Sequence, residues 1–257
     1  MQVVGYRARV DDHAALLLAE GGTARLERLT PGTELAYTLG ERHCAGAVHS
    51  GGPDEPRIHH ACDADDAPYC PEHTSRWPCT RCTGDCDKPI DACDEEHAVY
   101  LAVFAPETVK VGVTRSWRLD TRLREQGADR AAHLRTVADG RIARQIEADI
   151  AARLGDRVRV PTKIAGLADS VDDEFWATLC AEYDPIEQYT FGYGLDLNER
   201  PMAETLATGT VLGTKGRVAV VENNASRYAV DLRDLVGYEL RAEASDRDLQ
   251  SSLGAFR

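Results

Sequence analysis

Seven of the eight cysteines fall between Cys44 and Cys93, in a stretch with little apolar periodicity. A segment that cannot bury a hydrophobic face must be held in shape by something else, and clustered thiolates point to metal. The last four form a compact knot, Cys79-x2-Cys82-x3-Cys86-x6-Cys93, and the spacing lets one tight turn place two sulfurs on the same ion. Upstream, Cys44, Cys62 and Cys70-x2-His73 offer a second set of four ligands. The expectation is two structural zinc ions, each closed by four protein ligands. His43, His49, His59, His60 and His97 are left outside the first choice, because a histidine near cysteines is often only a polar loop residue.

The competing reading is a disulfide framework, which belongs to oxidising compartments. The opening residues, MQVVGYRARVDDH, have neither the apolar core nor the cleavage pattern of a signal peptide. No run of about 18 apolar residues occurs, so no membrane span and no membrane partner are expected. Metal ligands in a cytoplasmic protein fit these facts better than disulfides.

The formal charge is -13, with 43 acidic residues, and the basic side is nearly all arginine, with 4 lysines against 26 arginines. Such a surface suits solubility at very high salt, and a halophilic cytoplasm is the expected setting. Salt of that strength screens phosphate contacts, so a polyanion partner demands a locally basic site. From Glu107 to Arg159 there are 12 Lys or Arg against 8 Asp or Glu, reversing the balance of the chain. This segment carries Arg115, Arg118, Arg122, Arg124, Arg130, Arg135, Arg141 and Arg144 as a polyanion-binding surface, with Arg115, Arg118, Arg124 and Arg144 the candidate nucleic-acid contacts. Arginine ion pairs across a solvated helix face are the alternative.

The pattern divides the chain into four pieces, and the fold class expected is α+β. Residues 1–43 read as short strands, VVGYRARV, AALLLAE, ARLERL and ELAYTL, bounded by Asp-Asp, Gly-Gly and Pro-Gly. Residues 44–96 are the cysteine-rich zinc-binding segment. Residues 97–160 form a small α/β unit: HAVYLAVF and ETVKVGVT as a hairpin, a helix from Ser116 to Gly127, a strand in AAHLRTVAD and a helix capped by Asp139 and ended by Gly155. In that last helix Ile142, Ile146, Ile150 and Leu154 make an apolar row at spacing four, with Glu147 beside it. Residues 161–257 return to β after the helix DSVDDEFWATLCAEY, with strands in QYTFGYGLDL, GTVLG, RVAVVE, RYAVDL and GYEL. Both ends being strand-rich, they are expected to pair in one β domain. Cys180 reads as a small hydrophobe on the helix, and Asn224-Ala-Ser226 as a turn.

The sequence lacks G-x4-G-K-[ST], a G-x-G-x-x-G after a strand and G-x-S-x-G, so nucleotide-dependent and hydrolase-fold readings have no anchor. Ala98-Val99-Tyr100, Lys110-Val111-Gly112, Arg122 on the next helix and Glu147 on a later one resemble the core of the GIY-YIG nuclease superfamily. The wider stretch also resembles an uncharacterised, domain-of-unknown-function zinc-cluster family with a cysteine-rich segment ahead of a V-K-V-G-V-T-R core, here Val109 to Arg115, and an R-x3-QGA segment, here Arg122 to Ala128.

The nuclease resemblance implies a GIY-YIG-like α/β core with Tyr100, Lys110, Arg122 and Glu147 at a phosphodiesterase site. The tyrosine would flank the phosphate, the arginine would steady the developing charge, and the glutamate would hold a magnesium or manganese ion. Lys110 stands where the family carries its second tyrosine, and Arg118 is an alternative to Arg122. Two functions follow as expectations. One is a zinc-stabilised, divalent-cation-dependent nuclease acting on DNA or RNA. The other is a non-catalytic nucleic-acid or ribonucleoprotein binding protein.

Overall fold

A computed structural model describes residues 1–49, 56–74, 82–84 and 93–243. Alternating and fully apolar runs separated by Asp-Asp, Gly-Gly and Pro-Gly turns give the first strands: β1 (Gln2–Val10), β2 (His13–Glu20), β3 (Thr23–Arg28) and β4 (Glu34–Arg42). β5 (Ala47–His49) and β6 (Arg57–His60) are short. Then come β7 (His97–Phe104), β8 (Thr108–Arg115), a 3₁₀ turn over Ser116–Arg118, α1 (Leu119–Gln126), β9 (Arg130–Val137) and α2 (Gly140–Leu154). α3 (Val160–Ala165), α4 (Asp173–Tyr183) and β10 (Glu187–Thr190) follow. The last strands are β11 (Met202–Ala203), β12 (Ala207–Lys215), β13 (Val218–Asn223), β14 (Ser226–Asp231) and β15 (Tyr238–Arg241).

Eleven strands join in one sheet, in the order β11-β14-β13-β12-β4-β15-β1-β2-β3-β6-β5. Strands from the two ends of the sequence alternate in it, with β4 hydrogen-bonded to β12 on one side and β15 on the other. Its core includes Leu16, Leu18, Leu29, Leu232 and Leu235. β2 is buried from Ala14 to Ala19, which is why it reads as a continuous apolar run and not as an alternation.

The second sheet has the order β10-β9-β7-β8. Its central strand β7 is buried from Ala98 to Phe104, so alternate residues face two layers. Val99, Leu101 and Val103 pack with α2 and α4 residues including Ala143 and Leu179, while Ala98, Tyr100, Ala102 and Phe104 pack against Leu119 and Leu123 of α1. The edge of β8 is covered where the Val111 amide donates to the Gly155 carbonyl at 3.1 Å.

Local chemistry explains most boundaries and corrects two. Asp139 caps α2 by accepting from the Arg141 amide at 2.6 Å, and Gly127 ends α1 in the left-handed conformation, φ 71°. Ser116 does not cap a helix, however. The chain makes the 3₁₀ turn first, and no side chain caps α1. On α2 the buried positions are Gly140 and Ala143, with Ile146, Ile150 and Leu154 packed beside them, whereas Ile142 is 48% exposed. The small residues sit closest to the sheet, so the inward face is rotated from the isoleucine row. QYTFGYGLDL is strand only over its first three residues, Gln188–Thr190, which with Glu187 pair with β9.

The two sheets meet at the turn after α1. Asp129 accepts from Lys215 Nζ at 2.6 Å and from the Ala105 amide at 2.9 Å. Gly127 and Gly216, both at positive φ, bring the two backbones together: a Cβ on Gly216 would lie 2.8 Å from the Gly127 nitrogen. Among the described residues no helix is long and apolar enough to cross a membrane.

Gly112 pairs directly with Tyr100 across the hairpin, and a Cβ there would stand 2.6 Å from the Tyr100 Cζ and hydroxyl oxygen. The Tyr100 ring fills the space that a side chain at position 112 would take. Gly112→Ala is therefore expected to lower the unfolding free energy by about 1–3 kcal/mol, as overpacking does. Gly192→Ala, at a site with open space, should change it by less than about 0.5 kcal/mol. Urea unfolding of the two variants checks the contrast.

Candidate functional site

A metal-binding arrangement lies at the end of the large sheet. Cys44 follows β4, Cys62 follows β6, and Cys70 and His73 lie in the turn-rich stretch beyond. Their ligand atoms all fall within 4.8 Å of one another. Backbone bonds tie these segments together: the Cys44 amide donates to the Ala64 carbonyl at 2.8 Å and the Ala45 amide to Pro68 at 2.9 Å. The Gly46 and Cys70 amides point at the Cys44 sulfur, at 3.4 and 3.3 Å, as amides do toward a thiolate.

His73 Nδ1 is 3.4 Å from the Cys44 sulfur and 3.2 Å from that of Cys70. These separations are close to the edge of a tetrahedron with metal bonds of roughly 2.0–2.3 Å. The Cys70 thiol is lowered to about 7, first by the His73 backbone amide, with the Glu72 amide and the His73 ring adding to it. A thiol that ionises near neutrality is a ready metal ligand. This Cys3His set could hold a metal ion such as zinc. The six described cysteines, these three with Cys82, Cys93 and Cys180, form no disulfide. In the second expected set Cys79 and Cys86 lie outside the described residues, while Cys82 and Cys93 lie within them.

The second region is on the α/β unit. Tyr100 is 1% exposed, and its hydroxyl accepts from Gln126 Nε2 at 2.6 Å. Burial raises the Tyr100 pKa, opposed by the Arg122 charge and the Gln126 hydrogen bond, so the phenol is neutral. Lys110, paired across the hairpin with Ala102, projects on the Tyr100 face and donates from Nζ to the Asp156 carbonyl at 3.1 Å. Its pKa is lowered to about 8, first by burial, then by the Arg122 charge; the nearby Glu147 and Asp156 charges oppose the shift. Glu147, 14% exposed, takes Arg144 on one oxygen at 2.6 Å. Among the described residues its other oxygen accepts no hydrogen bond.

The charges of Arg122 and Glu147 thus bear on both the Tyr100 hydroxyl and the Lys110 ammonium. The four residues chosen from sequence share one electrostatic neighbourhood. The Tyr100 hydroxyl is turned inward, where it accepts from Gln126.

The chosen arginines are largely committed to neighbours. Arg115 pairs with Glu95 at 3.2 Å, Arg118 with Glu125 at 3.1 Å, Arg124 with Asp120 at 3.0 Å and Arg144 with Glu147. Arg122 reaches Glu125 only at 3.4 Å and shares that carboxylate with Arg118.

Two residues at this site are invisible to sequence reasoning. Lys163 of α3 donates to the Gln126 carbonyl at 2.7 Å, stands 4.1 Å from the centre of the Phe104 ring and has no ion pair among the described residues. Gln126 bridges it to Tyr100. Both sit here through contacts between distant elements, and only the unusual rarity of lysine in this chain could have drawn attention to Lys163. Beside them opens a cleft of about 790 Å³, walled by α1, α3 and the preceding loop, β1 and the β12–β13 turn. Of the four sequence-chosen residues, Arg122 lies on its wall.

Together these features define a two-sheet α+β protein with a Cys3His cluster and a basic cleft at the junction. The chain belongs to the family described as Protein of unknown function (DUF2797), which it matches over residues 58–240. No curated protein and no solved structure matches it.

Two outcomes test this geometry. Elemental analysis is expected to find one metal ion held by the Cys44–His73 set, lost in Cys44→Ser; an unchanged metal content in that variant would remove the site. Lys163 has its pKa lowered to about 7, first by burial and then by the Lys110, Arg217, Arg122 and Lys215 charges. A depressed lysine costs stability in full below its folded pKa, and the cost fades as pH rises toward the unfolded value of 10.5. Lys163→Met should therefore gain over the parent at about pH 6.5, and the gain should shrink by about pH 9.5. Paired urea melts at the two pH values measure this.

Proposed function

We propose that the protein is a nucleic-acid phosphodiesterase of GIY-YIG-like design, with the Cys3His cluster as a structural zinc site. One observation carries the reading: Tyr100, Lys110, Arg122 and Glu147, drawn from two strands and two helices, bear on one another beside an open basic cleft. Perturbed titrating groups gathered at a cleft are the usual mark of a reaction centre.

The roles follow from each environment. Arg122 is always charged and only loosely paired, so it can clamp a phosphate and steady the charge of the transition state. Lys110, with its pKa near 8, is neutral often enough to take a proton from an attacking water. Tyr100 is too firmly neutral to serve as that base, and it positions Arg122 and Gln126 instead. Glu147 has one oxygen that accepts no hydrogen bond among the described residues and is suited to holding a magnesium or manganese ion, which when bound would offset charge at the leaving oxygen. Four-ligand zinc has no open position for substrate, so the cysteine clusters serve as scaffold.

The ion pair of Glu147 with Arg144 favours a second reading, a non-catalytic nucleic-acid binding protein, because a carboxylate so paired is also an ordinary helix feature. Cleavage assays on single- and double-stranded DNA and RNA with magnesium or manganese separate the two. The parent is expected to cleave, Arg122→Ala to lose at least about 100-fold in rate, and Glu147→Ala a similar factor. The parent rate should rise with pH through about 8 as Lys110 loses its proton, and Lys110→Met should abolish that rise. Absence of cleavage by the parent, with binding lost in Arg122→Ala, would leave the binding protein.

A further inference from the structure

The junction cleft holds more positive charge than its own carboxylates neutralise. Six cationic side chains line it, Arg7, Arg122, Arg159, Lys163, Lys215 and Arg217, against Glu125, Asp231 and Asp234. Arg217 is matched by Asp231 at 2.8 Å, Lys215 by Asp129, and Glu125 is divided between Arg118 and Arg122. Among the described residues Arg7, Arg159 and Lys163 have no carboxylate within ion-pair reach. They come from three separate elements, β1, the loop before α3, and α3 itself. A buried ammonium held among cations is costly unless an anion is its normal neighbour.

Most of the rest of the wall is apolar, Val158, Val160, Pro161 and Val218 with the ring of Tyr6, and Gln126 adds an amide. A volume of about 790 Å³ is in the range of pockets that enclose a small organic ligand. It exceeds what inorganic phosphate fills, and a duplex keeps its bases stacked inside the helix, away from the apolar side of such a cleft. A ligand with a phosphate at one end and a flat, largely apolar body at the other matches both halves of the lining.

We propose that this cleft binds a nucleoside phosphate, with the phosphate on Lys163, Arg159 and Arg7 and the base against the Tyr6 and Pro161 side. Because Arg122 belongs to both the cleft and the Tyr100–Glu147 group, a nucleotide seated here would present its neighbouring phosphodiester to that group. The substrate is then a single-stranded end, a step that rests on the phosphodiesterase reading. The binding itself does not depend on it.

The test is calorimetric titration of the full chain at low ionic strength with thymidine 5′-monophosphate, a 5′-phosphorylated thymidine dinucleotide, the unphosphorylated dinucleotide and a blunt duplex without terminal phosphates. Both phosphorylated probes are expected to bind at least about tenfold tighter than the other two, since a charge-assisted contact is worth that factor or more. Tighter binding of the phosphorylated dinucleotide than of the monophosphate identifies a strand end as the occupant, and equal binding a free nucleotide; either upholds the site. Arg159→Gln, at an exposed position that cannot unfold the protein, and Lys163→Met should each weaken the phosphorylated probes about tenfold. Arg28→Gln and Arg153→Gln, at exposed positions that do not line the cleft, should leave them within about twofold.

Equal affinity with and without the 5′ phosphate, or unchanged binding in both Arg159→Gln and Lys163→Met, overturns the proposal. Phosphate-dependent binding without cleavage keeps the cleft and sinks the nuclease, whereas cleavage without such binding does the reverse.

Discussion

The arrangement of the molecule turns on a single carboxylate. Asp129 stands where the turn after α1 meets the large sheet, with Lys215 Nζ on one oxygen and the Ala105 amide on the other. Its backbone is equally engaged, since its amide donates to the Val103 carbonyl and its carbonyl accepts from Phe191. Lys215 is 9% exposed and Asp129 20%, so each charge depends on the other to stay inside. This contact fixes α1 against β12 and thereby sets the width of the cleft and the position of Arg122. Loss of either partner would leave an unpaired buried charge at the place where the two sheets are joined.

Much of the local structure is legible in the sequence because it is dictated locally. The strand and turn alternation of the first 43 residues, the Asp139 cap and the glycine stops at Gly127 and Gly155 all follow from neighbours a few positions apart. The interleaved order of the eleven strands is not written in any one segment, because β4 meets β12 across more than 160 residues of chain. Ser116 misleads for a related reason: among the described residues its buried hydroxyl has no partner, and its amide instead bonds Glu96 ahead of β7, where the chain makes a 3₁₀ turn. Ile142 misleads because helix periodicity gives a face but not which small residues, here Gly140 and Ala143, let the helix approach its sheet.

The site shows the same division. Spacing sufficed to choose Cys44, Cys62, Cys70 and His73, which the fold gathers from across 30 positions. Tyr100, Lys110, Arg122 and Glu147 could be chosen from motif order, yet their burial could not, and burial is what lowers the Lys110 pKa and keeps the Tyr100 phenol neutral. Lys163 escaped notice since its meaning comes wholly from Gln126, Phe104 and the surrounding cations. Conversely, arginine counts overstated the free positive surface, as most of the α1 and α2 arginines answer nearby acids.

The Cys3His cluster bears on more than the shape of its own loops. Its ligands bracket β5 and β6, the two strands that close one side of the large sheet, and among the described residues β6 pairs with β3 at two positions, Thr23 with Ile58 and Ala24 with Arg57, with one further bond from the His59 amide to Gly22. So slight a pairing cannot hold a strand in place by itself. If the cluster opens, β6 is released and β3 becomes a bare margin, a row of unsatisfied amides and carbonyls open to any other extended chain. An ion held there would act as a hem, keeping the sheet from unravelling into association with its neighbours.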